Sequence, residues 1–262
     1  MLFLLSPAKT LDYETPVPAA FSVAATTPQF LSMSAELIAL LKKKSPREIA
    51  DLMAVSEGLA ELNVQRFAAW SRRFTQANSR PAVLAFAGDV YDGLDAATLS
   101  AKDLAWAQQH VAILSGLYGV LRPLDRLQAY RLEMGTRLVN PAGRDLYAYW
   151  GDRLAQYLDA QLAGDKKPFI VNLASQEYFK AAGRRALQTP VIECVFEDWK
   201  TDRYKVISFF AKRARGLMAR YAIGQRVTTP KALERFDSDG YAFDAATSDP
   251  GRLVFRRRAE KA

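Results

Sequence analysis

The chain has 262 residues, 50% of them hydrophobic, which is enough for one large unit or two small ones. It has one cysteine and one histidine, so it can form no internal disulfide and no zinc or haem site from the usual soft ligands. No apolar run approaches the ~20 residues that a membrane span needs. We therefore expect a cytoplasmic protein that has no cofactor and does not contact a membrane, and the sequence identifies no protein partner. The composition does not exclude a metal site built from oxygen ligands alone.

The first third of the chain is predicted to contain one strand and three helices. Residues 2–5 form a short apolar run, which is typical of a buried strand. The second helix has the clearest start, because Ser45 is placed as its N-cap, Pro46 as its first residue and Glu48 as the partner in a capping box.

The rest of the chain alternates between strand-like and helix-like segments, which predicts a mixed α/β fold. Residues 100–114 have helical spacing, although their last residues could equally form a strand. No linker or repeat interrupts the pattern, so residues 1–258 are predicted to form one domain, followed by a frayed end at 259–262. The strand-like runs are 83–86, 169–175, 191–197, 205–210, 241–244 and 253–257.

One segment accounts for the whole net charge. The chain has 36 Lys and Arg against 28 Asp and Glu, a formal charge of +8. Between Asp202 and Glu234 there are eight basic residues and no acidic one, so the other 28 basic residues are balanced by the 28 acidic residues. A neutral protein with one cationic segment is typical of a polyanion-binding protein, and nucleic acid is the commonest polyanion.

The centre of this segment, FFAKRARGLMARYA, predicts a helix with one basic and one apolar face. Gly216 and Ile223 do not fit this division. A solvated surface helix is the alternative interpretation, but such helices usually mix charges of both signs. The residues expected on the exposed face are Lys212, Arg213, Arg215 and Arg220.

Two segments are candidates for a hairpin between helices that contacts DNA phosphates. The first is LSGLYGVLRPLD at 114–125, in which Gly116 and Gly119 would form the turn, one residue further apart than is usual. The second is RVTTP at 226–230, which lies between the basic helix and a helix starting at Pro230. Charge favours the second, because Arg226 and Lys231 flank it.

Polar clusters follow four of the predicted strands. They begin at Ser6, Gly88, Asn172 and Lys212, and loops beyond the carboxyl ends of strands converge on the ligand site in α/β proteins. The alternative function is therefore an enzyme acting on a nucleotide or another phosphorylated substrate. No phosphate-loop or dinucleotide fingerprint supports it, because SPAKT lacks the required glycines. The expected pocket would be lined by Lys9, Asp89, Asn172, Glu177 and Lys212.

Some individual side chains have two interpretations. Arg131 and Glu133 are two residues apart and form either a structural ion pair or part of a site. Glu177 and Tyr178 could take part in acid–base chemistry or begin a helix.

Several segments, in this order along the chain, resemble the bacterial YaaA family of peroxide-stress proteins: LLSPAKTL, AFAGDVYDGL, LSGLYGVLRPLD with YRLEMG, LYAYWGD, VNLASQEYF, ISFFAKRARGLMARY, GYAF and LVFRR. The resemblance runs from residue 1 to about residue 258. It implies a cytosolic protein that helps cells resist hydrogen peroxide, limits harmful intracellular iron and binds DNA. It also implies a single α/β fold, called the cantaloupe fold, with a positively charged cleft and a helix-hairpin-helix element.

The resemblance implies no established enzyme activity. The family's basic motif corresponds here to AKRARG, where relatives often have AKKARG, and Arg213 keeps the charge. We therefore predict a DNA-binding protein of the oxidative stress response that contacts duplex phosphates with little sequence specificity. The predicted contacts are Lys9, Lys212, Arg213, Arg215, Arg220, Arg226 and Lys231.

Three observations would separate the candidate functions. A long, open basic groove favours DNA, and a deep pocket with converging carboxylates and lysines favours the enzyme. An iron-handling protein would need an oxygen-ligand cluster, which the sequence does not locate.

The single cysteine and histidine are expected to be structural. Cys194 alternates with Ile192 and Phe196 along a predicted strand, so we expect it in the core, and His110 is expected to pack or to face solvent. Any protection against peroxide should therefore not come from thiol or haem chemistry in this chain.

Overall fold

The fold is organised around its first strand, β1 (Leu2–Leu5), which is buried along its whole length. A computed structural model describes residues 1–19, 21, 24–183 and 185–258, so the predicted frayed end at 259–262 lies outside the described residues. β1 pairs in parallel with β5 on one side and with β8 on the other. Strands buried on both faces have continuous apolar runs, which explains the sequence LFLL.

The other strands are short, apart from β9 and β12. They are β2 (Thr10–Leu11), β3 (Arg80–Pro81), β4 (Phe86–Ala87), β5 (Val111–Ser115), β6 (Gly119–Leu121), β7 (Arg126–Leu127), β8 (Ile170–Asn172), β9 (Val191–Lys200), β10 (Arg203–Lys205), β11 (Ala242–Phe243) and β12 (Arg252–Arg257). The main sheet has the order β11-β12-β9-β8-β1-β5-β6, with β10 paired to β9. Four of its pairings are parallel, which confirms the predicted mixed α/β class.

The helices among the described residues pack around this sheet. They are α1 (Leu31–Leu41), α2 (Pro46–Met53), α3 (Glu57–Ala69), α4 (Ala82–Ala85), α5 (Asp89–Leu94), α6 (Ala101–His110), α7 (Leu146–Trp150), α8 (Arg153–Leu162), α9 (Gln176–Ala182), α10 (Ser208–Gln225) and α11 (Pro230–Leu233). The capping box of α2 forms as predicted, with Ser45 and Glu48 bonded to each other's backbone. None of the helices described is long and apolar enough to cross a bilayer.

Two predicted strands are wrong in part. The run at 83–86 belongs mainly to the short helix α4, and only Phe86 is in a strand. The run at 205–210 contributes Lys205 to β10 and then enters α10 at Ser208. Short apolar runs have no periodicity that separates a strand from a buried helix, so neighbouring segments decide. Residues 100–114 contain both candidates, because α6 ends at His110 and β5 follows at once.

The prediction of a helical hairpin at 114–125 is also wrong. Residues on either side of the turn belong to β5 and β6, which pair antiparallel, so the turn is a β-hairpin. Gly116 and Gly119 are both buried. Gly119 has a φ of 68°, and a side chain there would meet the Trp150 ring at 2.7 Å. These glycines therefore serve packing and cannot reach DNA.

The second hairpin candidate joins two helices, but the second of them is short. α10 ends at Gln225, and α11 is a single turn of four residues. Val227 is buried between them. The helix-hairpin-helix element and the positively charged cleft implied by the resemblance stay predictions.

Candidate ligand cleft and basic helix

The basic helix α10 crosses α5 with the two backbones in contact. A side chain on Gly216 would place its Cβ 1.8 Å from the Val90 carbonyl oxygen, and one on Gly93 would lie 2.2 Å from the Arg213 carbonyl oxygen. Only glycine permits so close an approach. Gly216 departs from the predicted helix faces because it lies in this buried crossing. The crossing fixes the first half of α10 beside the start of α5.

A cleft of about 420 Å³ opens next to this crossing. It lies at the carboxyl ends of β1 and β8, the edge of a parallel sheet where ligand sites form. The structure brings together four of the five residues expected in an enzyme pocket, namely Lys9, Asp89, Glu177 and Lys212. The other lining residues are Ser6, Pro7, Ala8, Thr10, Ala87, Gly88, Val90, Tyr91, Glu133, Ser175, Tyr178 and Arg215.

Asn172, the fifth residue of the expected pocket, does not line the cleft. It is buried, and its side-chain oxygen accepts a hydrogen bond from the Ala174 backbone N–H at 3.0 Å. Asn172 therefore shapes the turn after β8. Ser175, at the end of that turn, lines the cleft instead.

Hydrogen bonds between distant segments build the floor of the cleft. The Ser6 Oγ accepts the backbone N–H of Ser175 at 2.8 Å and lies 3.3 Å from the Ser175 Oγ. The Tyr91 hydroxyl donates to the Ser6 carbonyl oxygen at 3.0 Å. Burial raises the pKa of Tyr91, so its phenol stays protonated and remains a donor. These hydrogen bonds tie together the residue after β1, helix α5 and the residue before α9.

Glu133 neutralises two cations at the edge of the cleft. Its Oε1 lies 2.9 Å from Arg131, and its Oε2 lies 3.1 Å from the Lys9 ammonium. The ion-pair interpretation of Arg131 and Glu133 is confirmed. Lys9, predicted as a DNA contact, is thus paired within the protein, although its side chain is 64% exposed.

One carboxylate oxygen of Glu177 is hydrogen-bonded within the protein. Its Oε1 accepts the Gly135 backbone N–H at 2.9 Å, which ties α9 to the segment after Glu133. The Tyr178 side chain beside it is buried, and burial raises the pKa of its phenol. Glu177 also lies in the first turn of α9, so it has a structural position and faces the cleft at the same time.

Lys212 and Arg215 bring positive charge to the cleft from α10. They are three residues apart and so share one face of the helix. The prediction that Arg215 is presented to bulk solvent is wrong, because this residue is half-buried in the cleft. Burial lowers the pKa of the Arg215 guanidinium, and Glu193 partly offsets this effect. Among the residues described, neither Lys212 nor Arg215 has a hydrogen bond or ion pair.

Arg220 holds α10 to the loop after α5. It donates to the carbonyl oxygens of Leu94 at 2.9 Å and Asp95 at 2.7 Å, and to the Thr98 hydroxyl at 2.8 Å. The Arg220 guanidinium is therefore bound within the protein, and its contact with DNA stays a prediction. Basic residues between Asp202 and Glu234, a stretch without acidic residues, can thus bind groups from other parts of the fold.

Three further predicted DNA contacts also have acidic neighbours. Arg213 lies 3.8 Å from Asp239, Arg226 lies 2.7 Å from Asp103, and Lys231 lies 2.6 Å from Glu234. Only the last pair is close in the sequence, so sequence reasoning could not identify the others. The Arg226 guanidinium also lies 5.9 Å from the centre of the Trp106 ring.

Cys194 and His110 have structural surroundings. Cys194 is 3% exposed, which confirms the core prediction, and burial raises the pKa of its thiol, with Glu193 adding to the effect. The His110 Nδ1 lies 3.0 Å from the Met1 carbonyl oxygen, and its ring lies 4.2 Å from that of Trp106. No group of three or more His, Cys, Asp or Glu in the described ranges could hold a metal ion.

Replacing Cys194 by serine should leave peroxide resistance unchanged. A buried thiol with a raised pKa forms little thiolate, so it is a poor reductant of peroxide. The serine hydroxyl would lack a partner in the core and should lower the free energy of unfolding by about 1–3 kcal/mol. Survival of peroxide-treated cells and urea denaturation test this pair of expectations. Cys194→Ala is the matched apolar control, and loss of resistance in both well-folded variants would contradict the prediction.

The mostly parallel sheet, with a charged cleft at the carboxyl ends of its strands, places the chain among mixed α/β proteins, which commonly bind ligands at this edge. The profile of the family described as peroxide stress protein YaaA matches residues 1–247. A UPF0246 protein of Paracidovorax citrulli (strain AAC00-1) is 63% identical over 258 residues, 98% of this chain and 99% of its own length. One of Variovorax paradoxus (strain S110) is 60% identical over 98% of this chain and 99% of its own. The chain belongs to the YaaA (UPF0246) family of peroxide stress proteins.

Proposed function

We propose that the chain is a cytoplasmic DNA-binding protein of the hydrogen peroxide response. It binds duplex DNA through phosphates, with little sequence preference, and helps to limit damage by intracellular iron. Membership of a peroxide stress family supports the stress role. The net charge of +8 supports a polyanionic partner. The iron role rests on the family resemblance alone.

The observation that carries the DNA proposal is a group of basic residues in β9, β10 and the first half of α10, which we call the cationic strip. We define the strip as Lys200, Arg203, Lys205, Lys212 and Arg213. Lys200 and Arg203 are directly opposite each other in the β9–β10 pair, on either side of the turn that contains Asp202, and Lys205 is opposite Asp198. β10 leads into α10 after two residues. Like charges placed opposite each other are unfavourable unless an anion lies against them.

The strip replaces part of the set of DNA contacts that the sequence predicts. Arg213 and Lys212 remain in it, because Arg213 is half-exposed beside Asp239 and Lys212 is exposed. Arg220, Arg226 and Lys231 have close protein partners, so we assign them to the fold. Phosphate contacts from the strip would carry no base information.

The DNA proposal predicts a strong dependence of affinity on salt. If four or five phosphates are neutralised, the logarithm of the association constant should fall against the logarithm of salt concentration with a slope of about −4. Scrambling the duplex sequence should change the affinity little. Reversing two charges of the strip, with Arg203→Glu and Lys205→Glu together, should weaken binding at least about 10-fold and reduce the slope by about 2.

The matched control reverses two exposed lysines at the opposite edge of the sheet. Lys166 and Lys167 precede β8 at its amino end, so Lys166→Glu with Lys167→Glu makes the same change in net charge away from the strip. Fluorescence anisotropy of labelled duplexes over a salt series measures both double variants. Equal losses of affinity in the two double variants would show that DNA responds to the net charge of the protein and not to the strip. An affinity that does not depend on salt would overturn the proposal.

A further inference from the structure

The cleft contains a half-buried cation without a direct ion pair. Arg215 lines the cleft and forms no ion pair or hydrogen bond within the described part of the chain. Glu193, which partly offsets the effect of burial on the pKa of Arg215, is exposed and does not line the cleft. Buried charges are normally paired, because removing them from water is unfavourable. Lys212 lies on the same helix face, so two positive groups meet one wall of the cleft. This wall is complementary to an anionic group of a ligand.

The cleft also has hydrogen-bond acceptors. The Asp89 carboxylate has no partner among the residues that the structure describes. Glu177 uses Oε1 for the Gly135 backbone, which leaves Oε2 to accept from a ligand. Glu133 is not available, since Arg131 and Lys9 occupy its two oxygens. Available cations therefore lie on α10, and available carboxylates lie at the starts of α5 and α9.

The size of the cleft restricts the ligand. Its volume of about 420 Å³ lies within the range of small-molecule sites, about 300–1,000 Å³. A duplex does not fit in such a volume, so the cationic strip and the cleft are different candidate sites, although they have Lys212 in common. Pro7, Ala8, Val90 and the two tyrosines give the cleft an apolar part that can cover a ring.

We propose that this cleft binds a small phosphate monoester of a polyhydroxylated compound, such as a sugar phosphate or a nucleoside monophosphate. The phosphate contacts Lys212 and Arg215, whose guanidinium suits two parallel hydrogen bonds to phosphate oxygens. Hydroxyl groups of the ligand donate to Glu177 and Asp89. A carboxylate accepts from vicinal hydroxyls, as it does in sites that bind ribose. The two carboxylates repel a second anionic group, so a monophosphate binds better than a triphosphate.

Calorimetric titration of the full chain tests the site with four probes: ribose 5-phosphate, adenosine 5′-monophosphate, adenosine triphosphate and inorganic phosphate. We expect saturable binding of a monophosphate ester. This binding should be tighter than that of inorganic phosphate and that of the triphosphate. Arg215→Gln should weaken every phosphorylated probe about 10-fold or more, since it removes a charged hydrogen-bond donor. Glu177→Gln should weaken the binding of the esters and leave the affinity for inorganic phosphate unchanged.

Lys212→Gln provides a second variant if Arg215→Gln disturbs the fold, because Lys212 is exposed. Lys167→Gln is the control, since it removes a positive charge at the opposite edge of the sheet. Absence of saturable ester binding, or unchanged binding in both cleft variants, overturns the proposal. Binding of a short oligonucleotide but of no free ester also overturns it and assigns the cleft to DNA.

The DNA proposal can fail independently of this one. The Arg203→Glu and Lys205→Glu double variant should lose affinity for duplex DNA and keep its affinity for ribose 5-phosphate. Arg215→Gln should show the reverse pattern.

Discussion

Replacing Gly216 by alanine is expected to lower the free energy of unfolding by about 3 kcal/mol, the upper end of the usual overpacking range. The added methyl group would lie 1.8 Å from the Val90 carbonyl oxygen and 2.8 Å from the Leu94 backbone nitrogen. Both neighbours are backbone atoms, so α5 and α10 would have to separate. Urea denaturation followed by circular dichroism measures the effect.

Gly224→Ala is the control on the same helix. Gly224 is exposed, and nothing lies within 4 Å of the position that its Cβ would take. Alanine is the better helix former, so this variant should be more stable than the parent by about 0.5–1 kcal/mol. Two identical changes on one helix should therefore have opposite signs. Equal effects would show that helix propensity, and not the crossing, determines the stability of α10.

The second large effect is expected at Arg257, in the last strand. Its Nε lies 2.7 Å from Asp198, its Nη1 lies 2.9 Å from Asp239, and its guanidinium lies 4.6 Å from the ring centres of Phe210 and Tyr241. Asp198 is 5% exposed and also accepts the Tyr241 hydroxyl. Arg257→Met would leave this carboxylate buried without its cation and should cost about 3–5 kcal/mol.

Two further variants separate the lost ion pair from lost packing. Arg258→Met removes an exposed guanidinium that lies 4.7 Å from the Trp199 ring centre, and it should cost no more than about 1 kcal/mol. Adding Asp198→Asn to Arg257→Met removes the unpaired charge and should recover part of the lost stability. Urea midpoints of the three variants test this. No recovery in the double variant would show that the aromatic contacts of Arg257 carry most of its effect.

Local signals in the sequence predicted structure well, because their partners are close along the chain. The capping box at Ser45 and Glu48 spans three residues, and the apolar run of β1 is complete in itself. The meeting of Lys9 and Glu177 was also predictable, because they follow β1 and β8, two parallel strands that share one edge of the main sheet. Asp89 and Lys212 join them for another reason, since Asp89 follows β4 outside that sheet and Lys212 lies within α10.

Partners separated by long stretches of chain could not be predicted. Arg220 binds a carbonyl oxygen 126 residues away, and Arg226 pairs with a carboxylate 123 residues away. A helical wheel shows which face of α10 is basic but not what packs against it. The wheel therefore predicts an exposed Arg215, whereas in the structure this residue is half-buried in the cleft. Gly216 gave a usable signal, since a glycine inside a strong helix pattern often marks a close contact.

The order of strands has a consequence for synthesis of the protein on the ribosome. β1 lies at the centre of the sheet, yet its neighbour β8 emerges about 170 residues later, which takes about 10–30 s at usual translation rates. β9 likewise has an open edge until β12 is made, about 50 residues later. Unpaired strand edges attract other chains, so the nascent protein is most exposed to aggregation while it is still being translated. The sheet is complete only after β12 has been made.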